Sequence, residues 1–502
     1  MSSTFDLAFH FYPFLFSQTK ILLLTEDTFF SPVTELAAQI RARKLSPVEL
    51  TEGYLARLER YGARLGAVAH VMRESALAEA RQAEREIRAG RYKGLLHGIP
   101  YGAKDLLATR NAPTTWGATP YKDQRFDYDA TVIRKLSDAG AILVAKLAMV
   151  ELAGGMGYNQ ADASLTGACR TPWNTDYWSG GSSSGPGAAV AAGLVAFAIG
   201  SETSGSIITP AAFCGVTGLR PTYGMVSRHG AMALCWTLDK LGPMCRSAAD
   251  AGLVLAAIAG RDPLDASSRD SKFRYPLPAQ ASRSGGTTPA KPRQLRLAVL
   301  KDSYEKAQKE VRDNFLAALE VLKRTDARVR VEMDVKLPDY PYGAAVGAIV
   351  DAEGAAAFRD LIESGRVREL ASPEGRIGGY SASLVTAVDY LHAMRMRVPM
   401  RRAWGELFRK YDVLVAPSRA TVSYPVSKTF DQAWPGVGAS SPIGASNLVG
   451  VPAISVPNGF GLEGLPTGIQ FVGATWSELT LVELADHYQQ ATDWHKRRPQ
   501  LA

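Results

Sequence analysis

Cysteine is scarce in this chain. Cys169, Cys214, Cys235 and Cys245 are the four among 502 residues, with no C-x-x-C spacing and no clustered histidines nearby. That excludes a disulfide framework and a zinc site, and leaves four small buried hydrophobes. The expectation is no metal and no cofactor, with the cytoplasm as the default compartment. Histidine is nearly as rare. His10, His70, His97, His229, His392, His487 and His495 are the seven, and none sits in a serine-rich loop. A Ser-His-Asp triad can draw on distant residues, but nothing in the sequence supports one. His97 and His229 read as hydrogen-bonded structural residues.

Charge is diffuse: 57 basic against 49 acidic residues give a net +8. No dense basic run interleaves with aromatics, so nucleic-acid binding is not indicated. Long apolar runs are missing too. Tyr177 to Ser201 carries no charge, but its first third is Gly and Ser. About a dozen apolar residues remain where a bilayer span needs roughly 20, which excludes a membrane helix there. Phe5 to Phe16 is aromatic-rich and Ile21–Leu24 follows a lone Lys20, without a basic leader or a small-residue cleavage site. A secretory signal is therefore disfavoured. Residues 1–31 are expected to be an extension that packs on the body or on a second subunit, which leaves a homodimer open.

What is present is concentrated between Gly180 and Ser206. The stretch reads Gly-Gly-Ser-Ser-Ser-Gly-Pro-Gly, an apolar run from Ala188 to Ile199, then Gly-Ser-Glu-Thr-Ser-Gly-Ser. A flexible linker would have the glycines and serines but not the apolar run. That run predicts a buried helix of about three turns. Glycines permit close backbone approach to a substrate, and serines supply hydroxyls for nucleophilic attack or proton relay.

Around it the patterning alternates. Leu36 and Ile40 start a helical cover over 32–90. Ser46-Pro47-Val48-Glu49 supplies an N-cap, a first-turn Pro and a Glu at N3 for its second helix, and Glu74–Ala89 is a third. Over 94–260, Tyr101–Lys104 and Ala141–Ala145 read as strands and Asp129–Ala139 as a helix. Such alternation predicts an α/β fold: a large, mixed but mostly parallel twisted sheet covered by helices on both faces. Residues 276–292, with four prolines, read as an exposed loop. From 295 to 502 the pattern resumes, with strands at Leu295–Leu300 and Asp412–Pro417 and a helix at Val311–Leu322. A long helix from Leu384 to Tyr411 is expected to kink or split at Pro399.

Without a histidine, a lysine is the alternative base. An ordinary lysine, with a pKa of about 10.4, is protonated at neutral pH, but burial lowers that value by favouring the neutral amine. Lys104 follows the uncharged run Gly98-Ile-Pro-Tyr-Gly-Ala, which suits burial. The competing reading is a surface lysine paired with Asp105, although neighbours on a strand point to opposite faces.

These segments together resemble the amidase signature family. The likeness is carried by Gly98–Asp105, Gly180–Gly185, Gly205-Ser206-Ile207, Pro210–Gly224, Thr237–Pro243 and Asn447–Pro457, and spans roughly Val33 to Leu484. Length alone suggests two or three domains; the resemblance implies one, over 1–502. It implies Ser206 as nucleophile, Ser182 as a relay serine in a cis peptide, and Lys104 as base. Ser182 and Ser206 lie 24 positions apart, as in the family. Ser183 is expected to be a second hydrogen-bond partner of Lys104. Backbone N–H groups along Thr203, Ser204 and Gly205 would hold the oxyanion of the tetrahedral intermediate. Tyr101, Met149, Gly155, Met156, Tyr158 and Trp178 are pocket candidates, and Gly154–Gly157 a close-approach loop under the substrate.

The activity implied is hydrolysis of the C–N bond of small amides, with aryl amides, carbamates (urethanes) and esters as candidates, through an acyl-enzyme. The alternative is the glutaminase component of a tRNA-dependent amidotransferase. Relatives of that kind carry an acidic residue before the Asn-Leu-x-Gly-x-Pro motif; an ungapped reading places Ser440 there, and a gap would bring in Asp431. Arg376 is the candidate for their substrate-carboxylate arginine.

Overall fold

The computed structural model describes residues 24–271, 273–275, 294–438 and 441–501. The expectations for residues 1–23, the 276–292 loop and Ser440 fall outside these.

One sheet of eleven strands runs through the described chain. In chain order the strands are β1 (Val68–Val71), β2 (Pro100–Lys104), β3 (Ile142–Leu147), β4 (Phe197–Glu202), β5 (Thr217–Arg220), β6 (Lys240–Cys245), β7 (Leu295–Leu300), β8 (Val329–Val335), β9 (Val413–Pro417), β10 (Ala453–Phe460) and β11 (Pro466–Gly473). Their spatial order is β1-β3-β2-β4-β6-β5-β10-β11-β9-β7-β8. Strands β3-β2-β4 are parallel, as are β8-β7-β9. The other neighbours are antiparallel, and they outnumber the parallel ones. The sheet is mixed, as expected, but not mostly parallel. Its central strands are buried on both faces whichever way they run, so the apolar pattern that suggests parallel pairing carries no direction.

Burial on both faces follows from the period of two along a strand. On β3, Leu143 joins the larger apolar cluster with Tyr101 and Phe197, whereas Ile142 and Val144 join a second one. The second cluster takes Leu55 and Leu58 from the helix Pro47–Tyr61 and Ala188 and Val190 from the helix Ser184–Ala191. Ser46 caps the first of these as its sequence suggests: its Oγ accepts from Val48 N at 3.0 Å, and Glu49 returns to Ser46 N. Upstream, the helix Glu26–Phe30 buries Phe29 and Phe30 against the body. All four cysteines are free and buried.

Two elements depart from expectation. The run Ala188–Ile199 is not one helix. The helix stops at Ala191, Gly193 turns the chain with φ +62°, and β4 begins at Phe197. Aromatic and β-branched residues at 197 and 199 favour the strand that the small residues before them do not. The helix Ala387–Lys410 is not split at Pro399 but continues through it. The carbonyl deprived of a partner belongs to Arg395, which is exposed, so water can take the bond. Among the described residues no helix is long and apolar enough to cross a membrane.

Candidate active site

Strands β2 and β4 are parallel neighbours, and their carboxyl ends carry Lys104 and Ser201-Glu202. Crevices at such strand ends are the usual ligand sites of α/β sheets. Lys104 is fully buried. Its Nζ lies 2.7 Å from Ser182 Oγ and 2.9 Å from Ser201 Oγ. Burial pushes the amine down to about 7, against the opposing attraction of Asp239 and Glu202. Once Nζ is neutral its lone pair can accept the Ser182 hydroxyl proton across the same 2.7 Å. Asp105 is not its partner: the carboxylate meets Lys146 Nζ at 2.9 Å, and both side chains are buried.

The Gly181–Ser182 peptide is cis. Ser182 precedes the helix Ser184–Ala191, and the backbone N–H of Ser183 donates to Ser206 O at 3.2 Å, tying the two serine loops together. Ser183 does not reach Lys104 in the way expected. Its Oγ donates to Ser201 O at 3.1 Å and accepts from Ser201 N at 3.2 Å. Ser201 is the second partner of Lys104, and Ser183 fixes its backbone. The sequence shows two serine runs but not which of them the strand end presents, so this division of roles is invisible in it.

Ser206 sits in the turn between β4 and the helix Ile208–Cys214. Gly205 before it takes φ +99°, a conformation open to glycine. No protein acceptor among the described residues takes the N–H groups of Thr203, Ser204, Gly205 or Ser206. Such donors can hold an oxyanion. The turn is anchored from below by Glu202. Its Oε2 accepts from Ile207 N at 2.8 Å and Ile208 N at 3.0 Å, and its Oε1 from Arg220 at 2.8 Å and Asn447 at 2.7 Å. Burial alone would raise the Glu202 carboxyl; the Arg220 guanidinium and the Asn447 amide outweigh it and hold it at about 2. Thr203 Oγ1 in turn donates to Asp239 Oδ1 at 2.6 Å.

Ser206 opens on a cleft of about 320 Å³, within the size range of small-ligand sites. Thr203, Ser204, Gly154, Tyr158 and Trp178 also line it. Tyr101, Met149, Gly155 and Met156 do not. Tyr101 is stacked on Phe197, with ring centroids 5.1 Å apart. The Met149 side chain packs beneath Gly117 and Met156 beside Gly379, while Gly155 lies against Leu234. Motif proximity selects these four, but alternate residues of a buried segment face away from the cleft. Arg376 is also elsewhere: its Nε donates to Leu370 O at 2.8 Å. Asp431 is exposed and accepts from Asn159 at 2.7 Å.

Residues the sequence did not single out complete the walls: Leu234, Val350, Arg419, Tyr424 and Phe430. Arg419 follows buried strand β9 by two residues, and a lone charge at a strand's carboxyl end is a signal that was available. Among the described residues no group of acidic, His or Cys side chains is arranged to hold a metal ion.

Comparison with known proteins agrees with this layout. The Amidase family model matches residues 49–482. A glutamyl-tRNA(Gln) amidotransferase component from Thermosynechococcus vestitus is 35% identical over 94% of this chain and 100% of its own length. The native peptide amidase of Stenotrophomonas maltophilia superposes with a TM-score of 0.78 at 32% identity, covering 94% of this chain and 98% of that one. A bacterial aryl acylamidase shares the fold at a TM-score of 0.80 and 23% identity, covering 93% and 97%. With the family model spanning most of its length, this chain belongs to the amidase signature family of amidohydrolases.

Proposed function

We propose that the protein hydrolyses the C–N bond of small amides through an acyl-enzyme, with Ser206 as nucleophile, Ser182 as relay and Lys104 as base. The observation that carries this reading is the buried Lys104 amine, held near neutrality 2.7 Å from Ser182 Oγ. Ser206 attacks the carbonyl carbon while its proton passes through Ser182 to Lys104. The oxyanion forms where the N–H groups of Ser204, Gly205 and Ser206 are available. The relay then returns the proton to the leaving nitrogen, which departs as the amine. Water, activated by the same relay, releases the acyl group from Ser206. The aromatic walls of the cleft, Tyr158, Trp178, Tyr424 and Phe430, support aryl amides as substrates, with aryl carbamates and esters as further candidates.

The amidotransferase reading draws on the relative whose name carries that activity. A glutamine would need an anion for its ammonium, and no Asp or Glu lines the cleft among the described residues. Leaving such a charge unpaired in a buried site costs several kcal/mol. One assay separates the two: purified protein, treated with EDTA, is offered a neutral aryl amide, an aryl carbamate and glutamine. Turnover of the aryl substrates with little glutamine hydrolysis is expected. Glutamine turnover alone would favour the amidotransferase, and loss of activity with chelator would indicate a metal.

A further inference from the structure

The cleft beside Ser206 contains hydrogen-bond donors that the protein does not use. Arg419 lines it, and its Nε is buried without a partner. One guanidinium nitrogen, Nη2, donates to Tyr424 Oη at 3.0 Å, and the group lies 5.9 Å from the Phe213 ring centroid. These contacts orient the side chain but occupy one of its five N–H donors. No carboxylate among the described residues answers its charge within the cleft lining. The nearby Tyr158 phenol supplies no anion either, because burial pushes it up to about 12. Trp178, 3% exposed and on the same wall, has its Nε1 buried with no partner.

The two residues are held together by local structure. Trp178 N donates to Tyr424 O at 2.8 Å, which brings the segment after β9 against the loop before Ser182. The Trp178 ring stacks on Phe430 at 4.5 Å and 22°, and lies near-parallel to Tyr424 at 6.3 Å. The wall is therefore an aromatic surface with a permanent cation in it, and the indole N–H of Trp178 is buried without a partner. A guanidinium presents a planar fork that matches a carboxylate, and an unpaired charge in such a place is costly unless a ligand pairs with it.

We propose that Arg419, assisted by Trp178 Nε1, binds a carboxylate carried by the substrate, so that the preferred substrates are amides bearing an acid group and an apolar or aromatic body. This rests on the hydrolase reading above. The carboxylate in question is a second one, distinct from the acid that hydrolysis releases at Ser206. With no acidic residue in the lining, an adjoining ammonium is disfavoured.

The test uses 4-nitroanilides of dicarboxylic acids, with two to six methylenes between the groups, against length-matched monocarboxylic nitroanilides. In the wild-type protein the best acid-bearing substrate should exceed its neutral match at least tenfold in kcat/KM, chiefly through KM. Arg419→Leu should bring that ratio close to one, Arg419→Lys should recover part of it, and Trp178→Phe should lower it severalfold. A ratio near one across the series in wild type, or one unchanged by Arg419→Leu, overturns the proposal. Should the variants not fold, calorimetry on the Ser206→Ala protein replaces them. The acid-bearing anilides binding tenfold more tightly than their neutral matches supports the subsite, and equal binding overturns it. No turnover of any anilide, with the acid-bearing anilides still preferred in that titration, would sink the hydrolase reading and leave the subsite standing.

Discussion

If the Lys104 amine is the base, activity must follow its ionisation. Moving a lysine from 10.5 to about 7 corresponds to roughly 5 kcal/mol of added preference for the neutral form. At pH 7 about half of the folded molecules then carry a neutral amine; at pH 5 about 1% do, and at pH 8 about 90%. The logarithm of kcat/KM should thus rise with unit slope from pH 5 to 6.5, bend near 7 and be flat above 8. An ordinary lysine would leave about 3 in 10⁴ neutral at pH 7, and the profile would climb through pH 9. Lys104→Arg should be as inactive as Lys104→Ala, since guanidinium accepts no proton. The same ionisation acts on stability. Below pH 7 the folded state holds a buried charge; between 7 and 10.5 it has lost a proton that the unfolded chain keeps, so stability contributed by this group rises with pH over that window. Lys104→Met should therefore gain most in Tm below pH 7, with the gain shrinking toward pH 10. Initial rates on an aryl amide and thermal melts from pH 5 to 10 measure both. A profile that climbs log-linearly to pH 9.5, or one already flat at pH 5, would refute the reasoning.

Ser206→Ala should cut kcat by roughly 10⁴-fold or more while the melt stays close to wild type; a fluorophosphonate adduct mapped to any serine other than 206 would contradict this. Glu202→Gln leaves Arg220 buried without its anion, and should cost about 3–5 kcal/mol, read as a lower denaturant midpoint. The wild-type carboxylate, held at about 2 by Arg220 and Asn447 against the effect of burial, contributes stability that is complete above about pH 4.5 and is lost as pH falls toward 2. The Gln variant should lack that acid-side slope.

The catalytic candidates were legible because they lie in short motifs whose order is fixed by local backbone geometry. Ser182, Ser206 and Lys104 could be named one residue at a time, as could the Ser46 cap. The walls of the cleft were legible only in part: Tyr158 and Trp178 line it, and the other pocket candidates do not. Arg419, Tyr424 and Phe430 come from a segment more than 200 residues beyond Ser206, and nothing local marks which of its residues return to the site. Parity explains the exchange of Ser183 for Ser201. Two serines in separate glycine-serine runs have equal claims until the ends of β2 and β4 are known to be adjacent. Strand direction was hidden because burial on both faces erases the alternation that would reveal an antiparallel strand.

The anchoring of the serine turn has a consequence for synthesis. Glu202 is joined to Asn447, 245 positions later, as well as to Arg220. A ribosome adding about 5–20 residues per second needs roughly 12–50 s to cover that interval. Throughout it the nascent chain contains Ser206 but not the amide that completes the anchor. Any product truncated before residue 447 would lack that bond altogether. If Ser206 is the nucleophile, competence for acyl transfer should therefore arrive only after Asn447 has been made, late in translation.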